Sequence, residues 1–417
     1  MHDGLPGDEF ALVGGMVLAG EDLALLHPGF VAVRDGVITA VGDGPVPAGI
    51  RTIDVTGSLV MPGMINCHTH LEDAALKELN FGVPSSVNVL FEPDGLRHTR
   101  MAEIGREHVV AGMRAALTQM LASGTVAVAD YRTGGAEGAR ALREAAAGLA
   151  VRCLIFAGHS TFPVQDEAAL AANTEGLTPA QLEDLAAAVE VADGFAPVRV
   201  NDTTDVALAQ IERLVRDAGK RLSTHSSASP DYRELSLRRT GRSDITRAVQ
   251  ILRPDFVVHM TVATDEEIEE IVAAGIPMVM CARTMASLGR PIPPFLRAVE
   301  RGGIVGLGTD NVMMSSPDLF AEMDFLGRVA RFGASDPTAV DPRQLLAAVT
   351  TNAARAVGLD DTLGSITPGK SASLVVVDMG STNLAGSVNP LASLVERATA
   401  SDIRAVLADG AVVHGAI

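Results

Sequence analysis

An α/β fold is what this sequence predicts: a (β/α)8 TIM-type barrel with a small discontinuous β-sandwich domain built from both termini. Three observations predict it. The chain has 417 residues, more than one small domain needs and suited to a large barrel with an accessory unit. Its middle alternates eight short apolar runs with longer amphipathic stretches, the pattern of parallel strands each followed by a helix. Its two ends read differently, as short strands separated by Gly-Asp turns.

Near the N-terminus, Val31-Ala32-Val33 and Val37-Ile38-Thr39-Ala40-Val41 flank Arg34-Asp35-Gly36, a hairpin signal. The C-terminal stretch repeats the style, with apolar runs at 374–377, 403–407 and Val412-Val413, the last two separated by Ala408-Asp409-Gly410. Residues 1–60 and 366–417 are therefore assigned to one composite β domain and 61–365 to the barrel. The expected barrel strands are 59–65, 125–130, 152–157, 195–200, 221–225, 256–260, 277–281 and 304–307. Expected helices include 101–123, 178–192, 204–217, 264–273 and 342–357. Thr178 before Pro179, and Thr264 before Asp265-Glu266-Glu267, are good helix starts: a hydroxyl cap, then proline or acids in the first turn.

Composition narrows the function classes. With 47% hydrophobic residues a sizeable core is easily buried, but at 3% aromatic and no Trp packing must rest on aliphatic side chains. The net charge of -18 repels phosphate backbones and anionic lipid, so neither nucleic acid nor membrane is expected as a partner. Cys67, Cys153 and Cys281 are odd in number and widely spaced, neither a disulfide framework nor a zinc knuckle. The apolar run 10–19 follows Asp3, Asp8 and Glu9, where a secretion signal carries positive charge. A cytoplasmic protein acting on a small molecule is expected, with a homodimer left open.

Active sites of such barrels lie at the C-terminal ends of the strands. Strand one ends in Asn66-Cys67-His68-Thr69-His70, strand five at His225, strand six at His259, and strand eight runs into Gly308-Thr309-Asp310-Asn311. Side chains alternate along a strand, so His68 and His70 point the same way and can share a cation. Imidazoles and a carboxylate suit Zn²⁺ or Fe²⁺. A lone His-x-His is weak evidence. Four histidines and an aspartate at four separate strand ends are hard to explain as ordinary packing.

The run Met61-Pro62-Gly63-Met64-Ile65-Asn66-Cys67-His68-Thr69-His70 resembles the strand-one signature of the amidohydrolase superfamily. It is most similar to the branch of cytosine, guanine and S-adenosylhomocysteine deaminases and triazine hydrolases. The tail Gly364-Ser365-Ile366-Thr367-Pro368-Gly369-Lys370-Ser371-Ala372-Ser373-Leu374 resembles that branch's return into its β domain, with Ser373 where an Asp is usual. The resemblance covers nearly the whole chain. It implies that His68, His70, His225 and Asp310 bind one divalent metal, Zn²⁺ first and Fe²⁺ as the alternative. It also implies that His259 sits beside the attacking water or the substrate oxygen. Binuclear members commonly use a carbamylated lysine at the end of strand four. The only lysines here are Lys77, Lys220 and Lys370, none of them so placed, which favours a single metal.

One departure bears on the chemistry. Deaminases of this branch usually carry a proton-transferring Glu three residues after the strand-five histidine. Here the run is His225-Ser226-Ser227-Ala228, and alanine transfers no proton. Asp310 can serve as both ligand and general base; otherwise Glu72, Asp73 or Asp130 must reach the site, Glu72 reading more as a solvated or supporting charge. Arg132 after strand two and Arg283 after strand seven are rim guanidiniums suited to planar or anionic substrate groups, unless each pairs with a loop acid. Asn311 follows the strand-eight Asp and is a further candidate contact. His98 lies in a long loop after strand one, with Phe81 and Phe91, whose Gly and Pro content fits a lid. His2, His27, His108, His159 and His414 fit no pattern and read as structural or surface residues.

The function expected is a metal-dependent hydrolase of an amide, lactam or amidine C–N bond in a small cyclic or heteroaromatic substrate. Asp310 would take the water's proton and His259 would stabilise the oxyanion. The alternatives are a deaminase with a substitute acid, a hydrolase of a halide or ester leaving group, and a metal-binding pseudoenzyme.

Overall fold

The computed structural model describes residues 9–84, 87–91, 95–160 and 167–417. Eight parallel barrel strands form. The first seven are Met64–His70, Thr125–Arg132, Arg152–Ala157, Gly194–Phe195, Arg221–Ser226, Phe256–His259 and Met278–Met280. The eighth is in two pieces: Val305–Leu307 pairs with strand seven, and Asp310–Asn311 pairs with strand one. The sheet therefore curls back on its own first strand.

That closure depends on two residue choices. A Cβ on Gly308 would lie 2.7 Å from the Cβ of His68, so only glycine lets the interrupted strand pass so close to strand one. Asn66 then holds the break. Its Nδ2 donates to Thr309 Oγ1 at 2.8 Å, and its Oδ1 accepts from the Thr309 backbone N–H at 3.1 Å.

The expected strand at 59–65 is two strands. Ser58–Pro62 joins an outer sheet and Met64–His70 enters the barrel. Between them Gly63 passes strand two so closely that a Cβ there would lie 2.6 Å from Val126. Strand four is shorter than expected, because Pro197 has no N–H to continue the ladder. The chain leaves as a loop with a single 3-10 turn at Val200–Asp202.

The helices follow their capping chemistry. Pro179–Val191 begins with a capping box from Thr178 and Gln181, and Asp265–Ala273 with one from Thr264 and Glu267. Thr204 caps Asp205–Asp217. The expected helix at 101–123 is two, Leu96–Glu103 and Arg106–Ala122, because Ile104 and Gly105 take extended backbone. The stretch at 342–357 likewise divides into Pro342–Val349 and Thr351–Val357 at Thr350.

The chain ends build two further sheets. One has four strands, in the order Val37–Gly42, Phe30–Arg34, Glu9–Val13 and Arg51–Asp54. The other has six and mixes both termini: Ala411–Gly415, Ile403–Ala408, Leu374–Asp378, Ser58–Pro62, Met16–Ala19 and Ala24–Leu26. Leu12, Val31, Val60, Val376 and Leu407 share one apolar cluster between them. The expected hairpin forms, turning on Asp35 and Gly36 at φ 51° and 76°. The barrel centre is not purely aliphatic: Ile65, Ala127, Ala129, Val258 and Val279 pack there with Tyr131, Phe156 and Phe256, three of the chain's few aromatics. Among the described residues no helix is long and apolar enough to cross a membrane.

Candidate metal centre

Period-two alternation puts His68 and His70 on one face of strand one, and the barrel brings strands five and eight against them. Ligand atoms of His68, His70, His225 and Asp310 lie within 4.8 Å of one another. The His225 Nε2 is 3.2 Å from His68 Nε2 and 3.3 Å from His70 Nε2, while Asp310 Oδ1 is 3.2 and 3.5 Å from those two. Burial holds the four imidazoles of His68, His70, His225 and His259 below their ordinary pKa, well below for all but His225.

This donor set suits a divalent cation. His225 Nδ1 donates to the Val198 carbonyl at 2.7 Å, which leaves its Nε2 as a bare lone pair turned to the other histidines. Val198 lies just past strand four, between Ala196, whose N–H still donates to the Ala157 carbonyl at 2.9 Å, and Arg199, which bridges to His225 itself; its carbonyl is thereby held where it orients the ring. Neutral nitrogens converging on one carboxylate oxygen repel nothing when a cation joins them, and they match the ligand types of zinc. The backbone is strained at the same rim. Ser227, His259, Met260 and Asp310, none a glycine, have φ of 48°, 82°, 58° and 58°, a concentration typical of functional sites.

His259 stacks on His225, with ring centroids 5.0 Å apart, and its buried Nδ1 has no hydrogen-bond partner among the described residues. It faces the same cavity as His70, His225 and Asp310, a space of about 890 Å³ including its mouth. Tyr131, which sequence reasoning passed over, packs edge-on under His68 at 4.4 Å and hydrogen-bonds Ser223. Alternation on strand two was its only signal.

The other sequence-predicted residues divide. Asp73, His98 and Asn311 line the cavity with Ala228. Both Asp73 oxygens are engaged: Arg97 Nε donates at 2.8 and 3.0 Å and Asn311 also donates to Oδ2. Asp130 points away from the cavity, accepting from the Leu71 N–H at 2.7 Å and Thr69 Oγ1 at 2.9 Å. Burial pushes its carboxyl up to about 8. Arg132 lines a second cavity beside His70, but its guanidinium pairs with Glu72. Glu72 is not a solvated charge: it is buried and also holds Arg97 and Thr133.

Arg283 lies outside the cavity, its guanidinium donating to the Ser316 carbonyl at 3.0 Å. The cavity guanidinium on that side is Arg290, three residues past the short helix Ala282–Ser287. No spacing rule marked it. Of the presumed lid, Phe91 and His98 line the cavity, whereas Phe81 is 88% exposed; Pro93 and Asp94 lie outside the described residues. His159 is no surface residue. It lines the second cavity with Arg132 and packs on Phe195. His2 is outside the described residues.

A parallel α/β barrel whose strand ends converge three imidazoles and a carboxylate belongs to a class of metal-site barrels. Residues 59–413 match the amidohydrolase family, and the chain belongs to that family. A 5-methylthioadenosine/S-adenosylhomocysteine deaminase of Syntrophobacter fumaroxidans is 30% identical over 422 residues, covering 98% of this chain and 92% of that one. An adenosine deaminase from Xanthomonas campestris with bound zinc superposes with a TM-score of 0.82 at 25% identity, covering 97% and 92%. The zinc complex of an atrazine chlorohydrolase from Arthrobacter aurescens shares the fold, with a TM-score of 0.82 at 21% identity, covering 97% and 94%.

Proposed function

We propose that this protein hydrolyses a non-peptide carbon–nitrogen bond, of an amide, lactam or amidine, in a small cyclic or heteroaromatic substrate. One divalent ion, zinc before iron, would be held by His68, His70, His225 and Asp310. The observation that carries this reading is the convergence of those four donors within 4.8 Å of one another, with His70, His225 and Asp310 on the wall of a cavity. Zinc in related structures supports it. The single-ion reading rests on the three lysines, none of which lines the cavity: Lys77 follows the turn after strand one, Lys220 donates to the Ala192 carbonyl at 2.7 Å, and Lys370 pairs with Glu21.

An ion held by His68, His70, His225 and Asp310 would supply the Lewis acidity that lowers the pKa of a water and polarises the bond to be cleaved. The Asp310 carboxylate takes the proton. Besides Asp73, whose oxygens are engaged, it is the acid lining the main cavity among the described residues. His259, kept neutral by burial, donates a ring N–H to the oxyanion that develops. Phe91, Met285 and Leu288 exclude water on the far side.

Ala228 on the cavity wall favours a second reading, hydrolysis of a leaving group that departs without protonation, such as halide or ester. Deamination by a substitute acid would have to use Asp310, or Asp73 after it gave up Arg97. We also read residues 1–60 and 366–417 as a small β-sandwich domain around a barrel of 61–365; the apolar cluster shared by the outer sheets supports this. Three free cysteines support a reducing cytoplasm, and a homodimer would appear as a doubled mass in light scattering.

Metal analysis of the purified protein, with His225→Ala as control, tests the proposal together with product release from aminated and halogenated heterocycles. Stoichiometric zinc or iron and measurable turnover are expected in the wild type, both lost in the variant. A metal-free wild type would overturn the hydrolase reading, and stoichiometric metal without turnover of any substrate would leave a metal-binding pseudoenzyme.

A further inference from the structure

Three guanidinium groups line the main cavity, and two are committed. Arg97 is bonded to Asp73 and Glu72, and Arg199 donates to Asp202 at 2.7 Å while lying 5.1 Å from the centre of the Tyr232 ring. Arg290 is different. Its backbone N–H donates to the Met285 carbonyl at 2.9 Å, and Gly289, at φ 64°, makes the turn that returns residue 290 to the cavity. Its guanidinium makes no hydrogen bond and no ion pair among the described residues. Its neighbours on the cavity wall include His259, Asp310, Met285 and Leu288.

A guanidinium set in a cavity wall with no partner among the described residues keeps its donors for water or for a ligand that enters the cavity. The carboxylates that act on it, Asp310 and Asp231, form no ion pair with it; Asp310 is directed instead at His68 and His70. A planar fork of five N–H donors beside an apolar wall is built for a planar anion carried on an apolar ring. A monoanion fits better than a phosphate dianion, since the nearby Arg199 charge is already met by Asp202.

Resting on the hydrolase reading above, we propose that Arg290 is the specificity-determining residue of this site and binds a carboxylate substituent of the substrate. The ring then lies on Met285 and Leu288, with its C–N bond toward the histidine cluster. The substrate class is accordingly a ring-bearing carboxylic acid rather than a neutral heterocycle.

Calorimetric titration with pyridine-3-carboxylate and with its neutral isostere pyridine-3-carboxamide tests this on the protein as purified, whatever its metal content. The carboxylate is expected to bind the wild type at least about tenfold more tightly, the scale of a charge-assisted bidentate contact. In Arg290→Met the two should bind alike, and Arg290→Lys should recover part of the preference. Should Arg290→Met not fold, Arg290→Gln is read the same way. Equal binding by the wild type overturns the proposal. So does a preference that survives in Arg290→Met, because the carboxylate is then held by another group, such as the metal. These outcomes are separate from failure of the hydrolase reading, which metal content and product release decide.

Discussion

The two flanks of the candidate metal centre are made of opposite materials. On the strand-one and strand-two side, Glu72, Asp73, Arg97 and Arg132 are buried and bonded to one another. On the side of strands five to seven, the wall offers Ala228, Met285 and Leu288, and beside them Arg290, whose guanidinium has no ion-pair partner among the described residues. The first flank has acids but spends them on guanidiniums; the second has room but no acid. Proximity of a carboxylate in sequence to a metal motif is therefore a poor guide to proton transfer. What decides is whether its oxygens are already engaged.

The largest effect should come from breaking the first flank. Glu72→Ala leaves Arg97 and Arg132 buried with fewer partners, a loss on the order of 3–5 kcal/mol. It would be measured as a lower midpoint of urea unfolding. An unchanged midpoint would mean that the network is solvated in solution. Next, Ala228→Glu puts an acid on the second flank. A positioned general acid is worth about a hundredfold, so ammonia release from aminated heterocycles should rise by about that factor. No change would show that residue 228 does not face the scissile bond.

The smallest effect is behind the second flank. Burial pushes the Glu322 carboxyl up to about 7 from an ordinary value near 4.5, partly offset by Arg283, whose backbone N–H donates to it at 3.1 Å. A raised carboxyl favours folding when protonated, so this contribution is whole below pH 4.5 and is lost as pH rises through 7. Glu322→Gln should therefore be more stable than wild type at pH 8, by up to about 3 kcal/mol. The two should differ little at pH 4.5. Unfolding midpoints at the two pH values check the sign.

Much of this was legible in the sequence, for stated physical reasons. Period-two alternation placed His68 and His70 on one face, and the strand-end rule placed His225, His259 and Asp310 beside them. Capping chemistry at Thr178 and Thr264 gave helix starts within a residue. What was hidden depends on contacts between distant segments. Arg97 reaches back to residues 72 and 73, Arg290 arrives through a turn at Gly289, Tyr131 packs against His68, and Arg283 turns to Ser316 instead of into the cavity. The division of 59–65 into two strands likewise rests on the close approach of Gly63 to Val126, which no local pattern encodes.

The interrupted eighth strand has a consequence in time as well as space. Because Gly308 and the Asn66–Thr309 clasp seat Asp310 against strand one, the cluster joins the first and last staves of the barrel. A chain emerging from the ribosome carries His68, His70 and His225 long before Asp310 exists. The fourth member of the cluster arrives only when the ring closes, so an ion held by all four, as proposed above, would be gripped fully only once the barrel is whole.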